Sequence, residues 1–174
     1  MAHSKKLDEL YDLIHGIETA MFTTRRGNGQ LVSRPMATQA RMEDCDLWFV
    51  TDSEAHKLDD LMLDPHVNCA YYKNKTGEWV SVTGVARISK NRNKIRQLYK
   101  ENWKEWFGDE GGERDGGPND PRIALILVDA DSATYMKVNK ARPKVLFEAL
   151  RSKVTGHRPT AGEIREVTGA ELMP

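Results

Sequence analysis

The chain has 174 residues, 39% of them hydrophobic and 30% charged, with 26 Lys and Arg balanced by 26 Asp and Glu. That length suits one domain with one core, and zero net charge argues against a general nucleic-acid binder, which carries a basic excess. No apolar run approaches the ~20 residues that span a bilayer, so no membrane association is expected. The polar stretch from Met1 to Lys6 leads into no apolar signal core. Cys45 and Cys69 are far apart and lack CxxC spacing, which reads as reduced thiols in a cytoplasmic setting. The five histidines show no metal-ligand spacing, and no metal site is expected.

In chain order, Ser4 to Glu18 predicts an amphipathic helix: Leu7, Leu10, Tyr11, Ile14 and Ile17 recur at three- and four-residue steps, with Ser4 as N-cap. Thr19 to Arg26 and Gln30 to Gln39 read as strands joined by Gly27-Asn28-Gly29, a turn whose residues tolerate positive φ. Asp46 to Thr51 is a third strand. Ser53 to Leu63 reads as a short helix capped by Ser53, with Leu58, Leu61 and Met62 inward and Pro65 stopping it. Val67 to Lys73 and Glu78 to Ser89 form a second hairpin. Asn91 to Phe107 has the apolar stripe of one long helix, at Ile95, Leu98, Tyr99, Trp103 and Trp106. Gly108 to Pro121, rich in Gly and Asp, predicts a mobile loop with little buried surface. Ile123 to Asn139 is strand-like, Pro143 opens a helix to about Val154, and a helical turn is expected near Gly162 to Val167. The reading gives about six strands joined mainly by hairpins, which fits an antiparallel barrel with peripheral helices rather than parallel βαβ winding.

Two segments carry candidate chemistry. Ser33-Arg34-Pro35-Met36 lies on the second strand, and Val50-Thr51-Asp52-Ser53-Glu54-Ala55-His56-Lys57 runs from the third strand into a helix. If these strands neighbour one another, Arg34 faces a helix start with free N–H groups and partial positive charge. Thr51 and Ser53 add hydroxyls, His56 and Lys57 add nitrogen donors, and the Arg34 fork matches phosphate oxygens. The sum is a phosphate socket. The plainer alternative makes Ser53 only a cap, Lys57 a solvated helix residue and Arg34 a surface strand residue.

Arg34-Pro35-Met36, followed about a dozen residues later by Leu47-Trp48-Phe49-Val50-Thr51-Asp52-Ser53 and His56-Lys57, resembles the flavin-binding pattern of the pyridoxamine-phosphate oxidase-like split barrels, and within them the bacterial general stress proteins. The resemblance extends to Met21-Phe22-Thr23-Thr24, to Trp79-Val80-Ser81-Val82-Thr83-Gly84 and to the segment from Phe147 to Gly156. It implies a mainly β fold with peripheral helices, a six-stranded antiparallel split β-barrel that takes up residues 1–174 as a single domain with a helical C-terminal extension. It implies FMN as cofactor, with FAD as the alternative, bound at the interface of a homodimer. Arg34 and Lys57 would meet the phosphate with Thr51, Ser53 and His56; backbone at Pro35 and Met36 and at Val50 and Thr51 would line the ring. Trp79, or the Trp103 and Trp106 region, would close the site from the partner subunit, with ordinary packing as the alternative. Gln39 stands where the oxidases place a lysine, Tyr135-Met136-Lys137 lacks a common tryptophan, and no Arg-x-His follows, all of which argue against pyridoxamine-phosphate oxidation. The implied functions are flavin-dependent oxidoreduction of an unknown small molecule, or flavin storage or sensing in a stress response; a barrel without flavin, used for interaction only, is the third alternative. No catalytic acid or base stands out.

Overall fold

The computed structural model describes residues 5–138 and 162–172. Along the chain lie α1 (Lys5–Ile17), β1 (Thr19–Arg25), β2 (Leu31–Ala37), β3 (Leu47–Asp52), α2 (His56–Leu63), β4 (His66–Lys73), β5 (Glu78–Ser89), α3 (Arg92–Leu98), α4 (Trp103–Phe107), β6 (Ile123–Lys137), β7 (Glu163–Thr168) and a last turn, α5 (Gly169–Leu172). All strand pairs are antiparallel, in the order β2-β1-β4-β5-β6-β3, with β7 added to β6.

The strands curl around a core of Phe22, Phe49, Cys69, Val80, Val82, Ile126 and Tyr135, and α1 and α2 supply Leu7, Leu10, Ile14, Leu58 and Leu61 to it. β1 alternates as period-two geometry requires: Ala20, Phe22 and Thr24 are buried, Thr19, Met21 and Arg25 exposed. β3 and the first half of β6 depart from alternation because both their faces are covered. Their outer residues, Trp48, Val50, Ile123, Leu125 and Leu127, form a second core with Ile95 of α3 and Trp103 of α4. Continuous apolar sequence is what two-sided burial demands. At Gly84 the β5–β6 register shifts, and a Cβ there would stand 2.3 Å from the Asp129 carbonyl oxygen, so the bend requires glycine.

The barrel is split. The first and last strands of the path, β2 and β3, meet at a single bridge between Thr38 and Phe49, supported by the Gln39 N–H donating to the Trp48 carbonyl at 3.1 Å. Beyond it the two strands share no ladder among the described residues, so the barrel stays open at this seam, as the split-barrel expectation has it.

Several expectations need correction. There are seven strands, not six, because residues 163–168 extend against β6 instead of forming a helical turn. The expected long helix over 91–107 is two short ones, broken at Tyr99, whose ψ of 138° is extended. The break lets Tyr99 donate its hydroxyl to the Gly116 carbonyl at 3.0 Å and pack edge-on against Trp103. Trp103 is completely buried, which removes it as a residue touching a partner; Trp106 is exposed. Met62 is also exposed, since α2 buries only Leu58 and Leu61. The Gly- and Asp-rich loop buries more than expected: Gly116, Gly117 and Asp120 are buried, and Arg122 just beyond it is almost inaccessible. The N-cap at Ser4 and the helix from Pro143 to about Val154 lie outside the described residues.

Candidate functional site

The parting of β2 from β3 brings the two candidate segments together. Extending the Thr38–Phe49 register along both strands sets Met36 across from Thr51 and Arg34 across from Ser53, without ladder pairing between them. The unpaired backbone edges therefore line a gap that opens toward the start of α2. Met36, Val50 and Thr51 have buried side chains and offer the gap their backbone; Pro35 is exposed on the outer face.

Arg34 pairs with Phe22 across the β1–β2 ladder, which turns its side chain to the inner face at the barrel end. There it donates to the Thr24 hydroxyl at 2.9 Å and lies 3.6 Å from the Asp60 carboxylate on α2. The Thr24 hydroxyl in turn donates to Asp60 at 3.0 Å. This triangle joins β1, β2 and α2, and the Arg34 side chain is only 23% exposed. Thr24 and Asp60 escaped the sequence reading. Parity with buried Ala20 and Phe22, and the three-residue step from Lys57 to Asp60 on one helix face, were the signals that could have found them.

Lys57 sits one turn before Asp60. Burial, and then the nearby Arg34 charge, hold its pKa below the ordinary lysine value, with Asp52 opposing. No carboxylate forms an ion pair with Lys57 among the described residues. Two cations converge here with incomplete counter-charge, which favours a bound anion. The N-cap of α2 is Ala55, in extended conformation and without a side-chain cap, so the first-turn N–H groups have no side chain to satisfy them.

Ser53 is not that cap. Its N–H donates to the Arg122 carbonyl at 2.6 Å and its hydroxyl to the Pro121 carbonyl at 3.4 Å, which ties the end of β3 to the following loop. The Thr51 hydroxyl donates only to the Asp52 carbonyl, at 3.4 Å. His56 is fully exposed, 3.7 Å from Asp59. Trp79 pairs with Tyr72 on the outer sheet face, away from the Arg34–Lys57 junction. The structure thus brings Arg34 and Lys57 together, sets Met36, Val50 and Thr51 along the gap, and gives Ser53 a structural tie.

Antiparallel strands wrapped into a barrel and left open at one seam, with cations at the seam's end, define a split β-barrel protein. Comparison with known proteins agrees. Residues 5–160 match the family model described as pyridoxamine 5'-phosphate oxidase like. Protein bli-3 of Neurospora crassa is 36% identical over 172 residues, covering 97% of this chain and 82% of that protein. A Jannaschia sp. CCS1 structure described as general stress protein 26 superposes with a TM-score of 0.72 at 20% identity, over 95% of this chain and 99% of that one. The general stress FMN/FAD binding protein of Xanthomonas citri gives 0.63 at 22% identity, over 79% and 92%. The chain belongs to the pyridoxamine 5'-phosphate oxidase-like family.

No helix among the described residues is long and apolar enough to cross a membrane, and no cluster of His, Cys, Asp and Glu among them is arranged to hold a metal ion. Both cysteines are free and buried, and burial pushes each thiol up to about 12.

Proposed function

We propose that this chain binds flavin mononucleotide, with the phosphate between Arg34 and Lys57, and acts as a flavin-dependent oxidoreductase on a small molecule. The observation that carries this reading is the under-neutralised Arg34–Lys57 pair at the mouth of the β2–β3 gap. The residues suit the group. A phosphate dianion supplies the counter-charge that Asp60 alone does not, and the open edges of β2 and β3 suit a flat ring that needs backbone partners. The description of the Xanthomonas citri neighbour as an FMN/FAD binding protein supports a flavin and leaves room for FAD.

A bound isoalloxazine ring supplies hydride and electron transfer; the chain supplies position and field. Thr24 and Asp60 hold the Arg34 fork against α2, and Lys57 adds a second positive charge. The buried walls at Met36, Val50 and Thr51 keep water from the seam. A homodimer completes the proposal. The outer face of β2, β1 and β4 exposes Leu31 (71%), Met21 (44%) and Tyr72 (63%), with Pro35 and Trp79 in the same register. An apolar sheet face of this kind suits a second copy.

The test is flavin titration of the purified chain, followed by fluorescence quenching, for wild type and Arg34→Ala, together with consumption of a reduced nicotinamide. Saturable binding lost in Arg34→Ala supports the socket. Binding without turnover over a broad donor panel selects flavin storage or sensing over catalysis. Sedimentation velocity checks the dimer.

A further inference from the structure

Beyond the β2–β3 gap lies a second cleft, of about 690 Å³, between α3 and the Gly-rich loop. One wall carries Lys90, Arg92 and Arg96; the other carries Glu113 and Asp115, with Asn119 between them. We propose that this cleft binds a phosphorylated nucleoside, its phosphate on the cationic wall and its sugar hydroxyls donating to the two carboxylates.

The cationic wall is built rather than incidental. The Arg92 guanidinium is fixed by backbone carbonyls: Nε donates to Lys90 at 3.2 Å, Nη1 to Asp120 at 2.6 Å, and Nη2 to Ile123. Arg96 is steered by neutral amides, Nε donating to Asn119 at 2.7 Å and Nη1 to Asn93 at 3.1 Å. Among the described residues no carboxylate forms an ion pair with either arginine, and the Lys90 ammonium has no partner. The nearest buried acid, Asp120, spends its carboxylate on Arg122 and on the Gly116 and Arg122 N–H groups. Burial and the adjacent Arg96 charge hold Arg92 below its ordinary pKa, against the pull of Asp120. The wall is therefore oriented and lacks an anion, and forked guanidinium groups suit phosphate.

The carboxylate wall shapes the choice of ligand. Asp115 accepts from the Gly117 N–H at 2.8 Å with one oxygen and keeps the other; Glu113 has no partner among the described residues. Carboxylates accept hydroxyl protons and repel further phosphates, so a ligand with anion at one end and hydroxyls at the other fits both walls. The cleft is within the size range of small-molecule sites, roughly 300–1,000 Å³. It shares a wall with the gap. Of four successive carbonyls, those of Pro121 and Arg122 accept from Ser53 on one side, and those of Asp120 and Ile123 accept from Arg92 on the other.

Calorimetric titration of the full chain with AMP and, separately, ADP at low salt tests this directly, with adenosine 2',5'-bisphosphate, whose sugar phosphate would meet the carboxylate wall, expected to bind more weakly than AMP. The wild type is expected to bind at least one probe, and Lys90→Gln/Arg96→Gln, which alters two exposed side chains, to weaken binding about thirtyfold, as loss of two charge-assisted contacts predicts. Tighter binding of AMP assigns the cleft to a nucleoside monophosphate; tighter binding of ADP assigns it to a nucleoside diphosphate; tighter binding of the bisphosphate than of AMP overturns the assignment of the sugar hydroxyls to Glu113 and Asp115. No binding of either probe, or equal binding by wild type and variant, overturns the proposal. The titration needs no flavin, so it stands or falls apart from the Arg34–Lys57 socket, whose titration with flavin mononucleotide is unaffected by Lys90→Gln/Arg96→Gln.

Discussion

Arg122 and Arg34 put the same side chain to opposite uses. Arg122 is saturated: it reaches the Asp120 carboxylate at 2.7 Å and the carbonyls of Phe107 and Gly108 at 2.7 and 2.9 Å, and its residue is 2% exposed. Arg34 has one hydroxyl, a carboxylate at 3.6 Å, and a second cation beside it. A guanidinium whose donors are all met holds chain segments together; one that is part-met beside Lys57 is poised for an anion. Arg122 knits the Gly-rich loop to β6, and Arg34 faces the seam. Counting the donors met, more than burial, separates the two.

The contrast can be broken most severely at Asp120→Ala. The buried Arg122 guanidinium then keeps only the half-exposed Glu110 carboxylate, 2.9 Å away, and stability should fall by about 3 kcal/mol in urea unfolding; a loss under 1 kcal/mol would remove the structural role. Acid probes the same pair. Burial by itself would raise the Asp120 pKa, but the hydrogen bond from Arg122 and those from the Gly116 and Arg122 N–H groups outweigh it and hold it down to about 2. A depressed carboxylate stabilises the fold fully above its unfolded value near 4, and that contribution is lost as pH falls from about 4 to about 2. Asp120→Asn should flatten the stability profile in that window.

Arg34→Ala should shift the balance: a smaller loss in unfolding, about 1 kcal/mol, because Asp60 keeps the Thr24 hydroxyl, and roughly a hundredfold weaker flavin binding, about 2.7 kcal/mol, by fluorescence titration. Gly84→Ala disturbs neither arginine and serves as a purely steric control. Its Cβ would meet the Asp129 carbonyl oxygen at 2.3 Å, so about 2 kcal/mol of stability should be lost with flavin affinity unchanged wherever the protein stays folded. The smallest effect is expected at Lys57→Met. Removing a half-buried cation without an ion-pair partner should leave the melting midpoint level or slightly raised, while flavin binding weakens about tenfold. A lowered midpoint would mean that Lys57 is structural.

Much of the barrel was legible because its signals are local. The step pattern of Leu7, Leu10 and Ile14 gave α1, the Gly27-Asn28-Gly29 turn gave the first hairpin, and Pro65 closed α2. The continuous apolar runs of β3 and β6 marked strands, though not the second core that explains them. The stripe from Ile95 to Trp106 misled, because the same residues suit one helix or two, and only contact with Gly116 and Trp48 selects the break. β7 was misread because its strand character comes from pairing with β6: Val167 is buried against the core while Ile164 stays exposed. In the site, Arg34 and Lys57 were legible as residue types. Thr24 and Asp60 were not, since nothing local says that a threonine on β1 and an aspartate on α2 will share one guanidinium.

The sequence by itself determined the strand-rich class, the turn positions, the family resemblance and the pair of cations, since period, turn chemistry and motif are properties of neighbours along the chain. Only the tertiary structure decided that β2 and β3 part beyond Thr38, that Ser53 ties down a loop instead of capping a helix, and that Arg122 is satisfied where Arg34 is not. Those outcomes depend on which donors and acceptors from distant segments meet in space, and a list of residues does not carry that information.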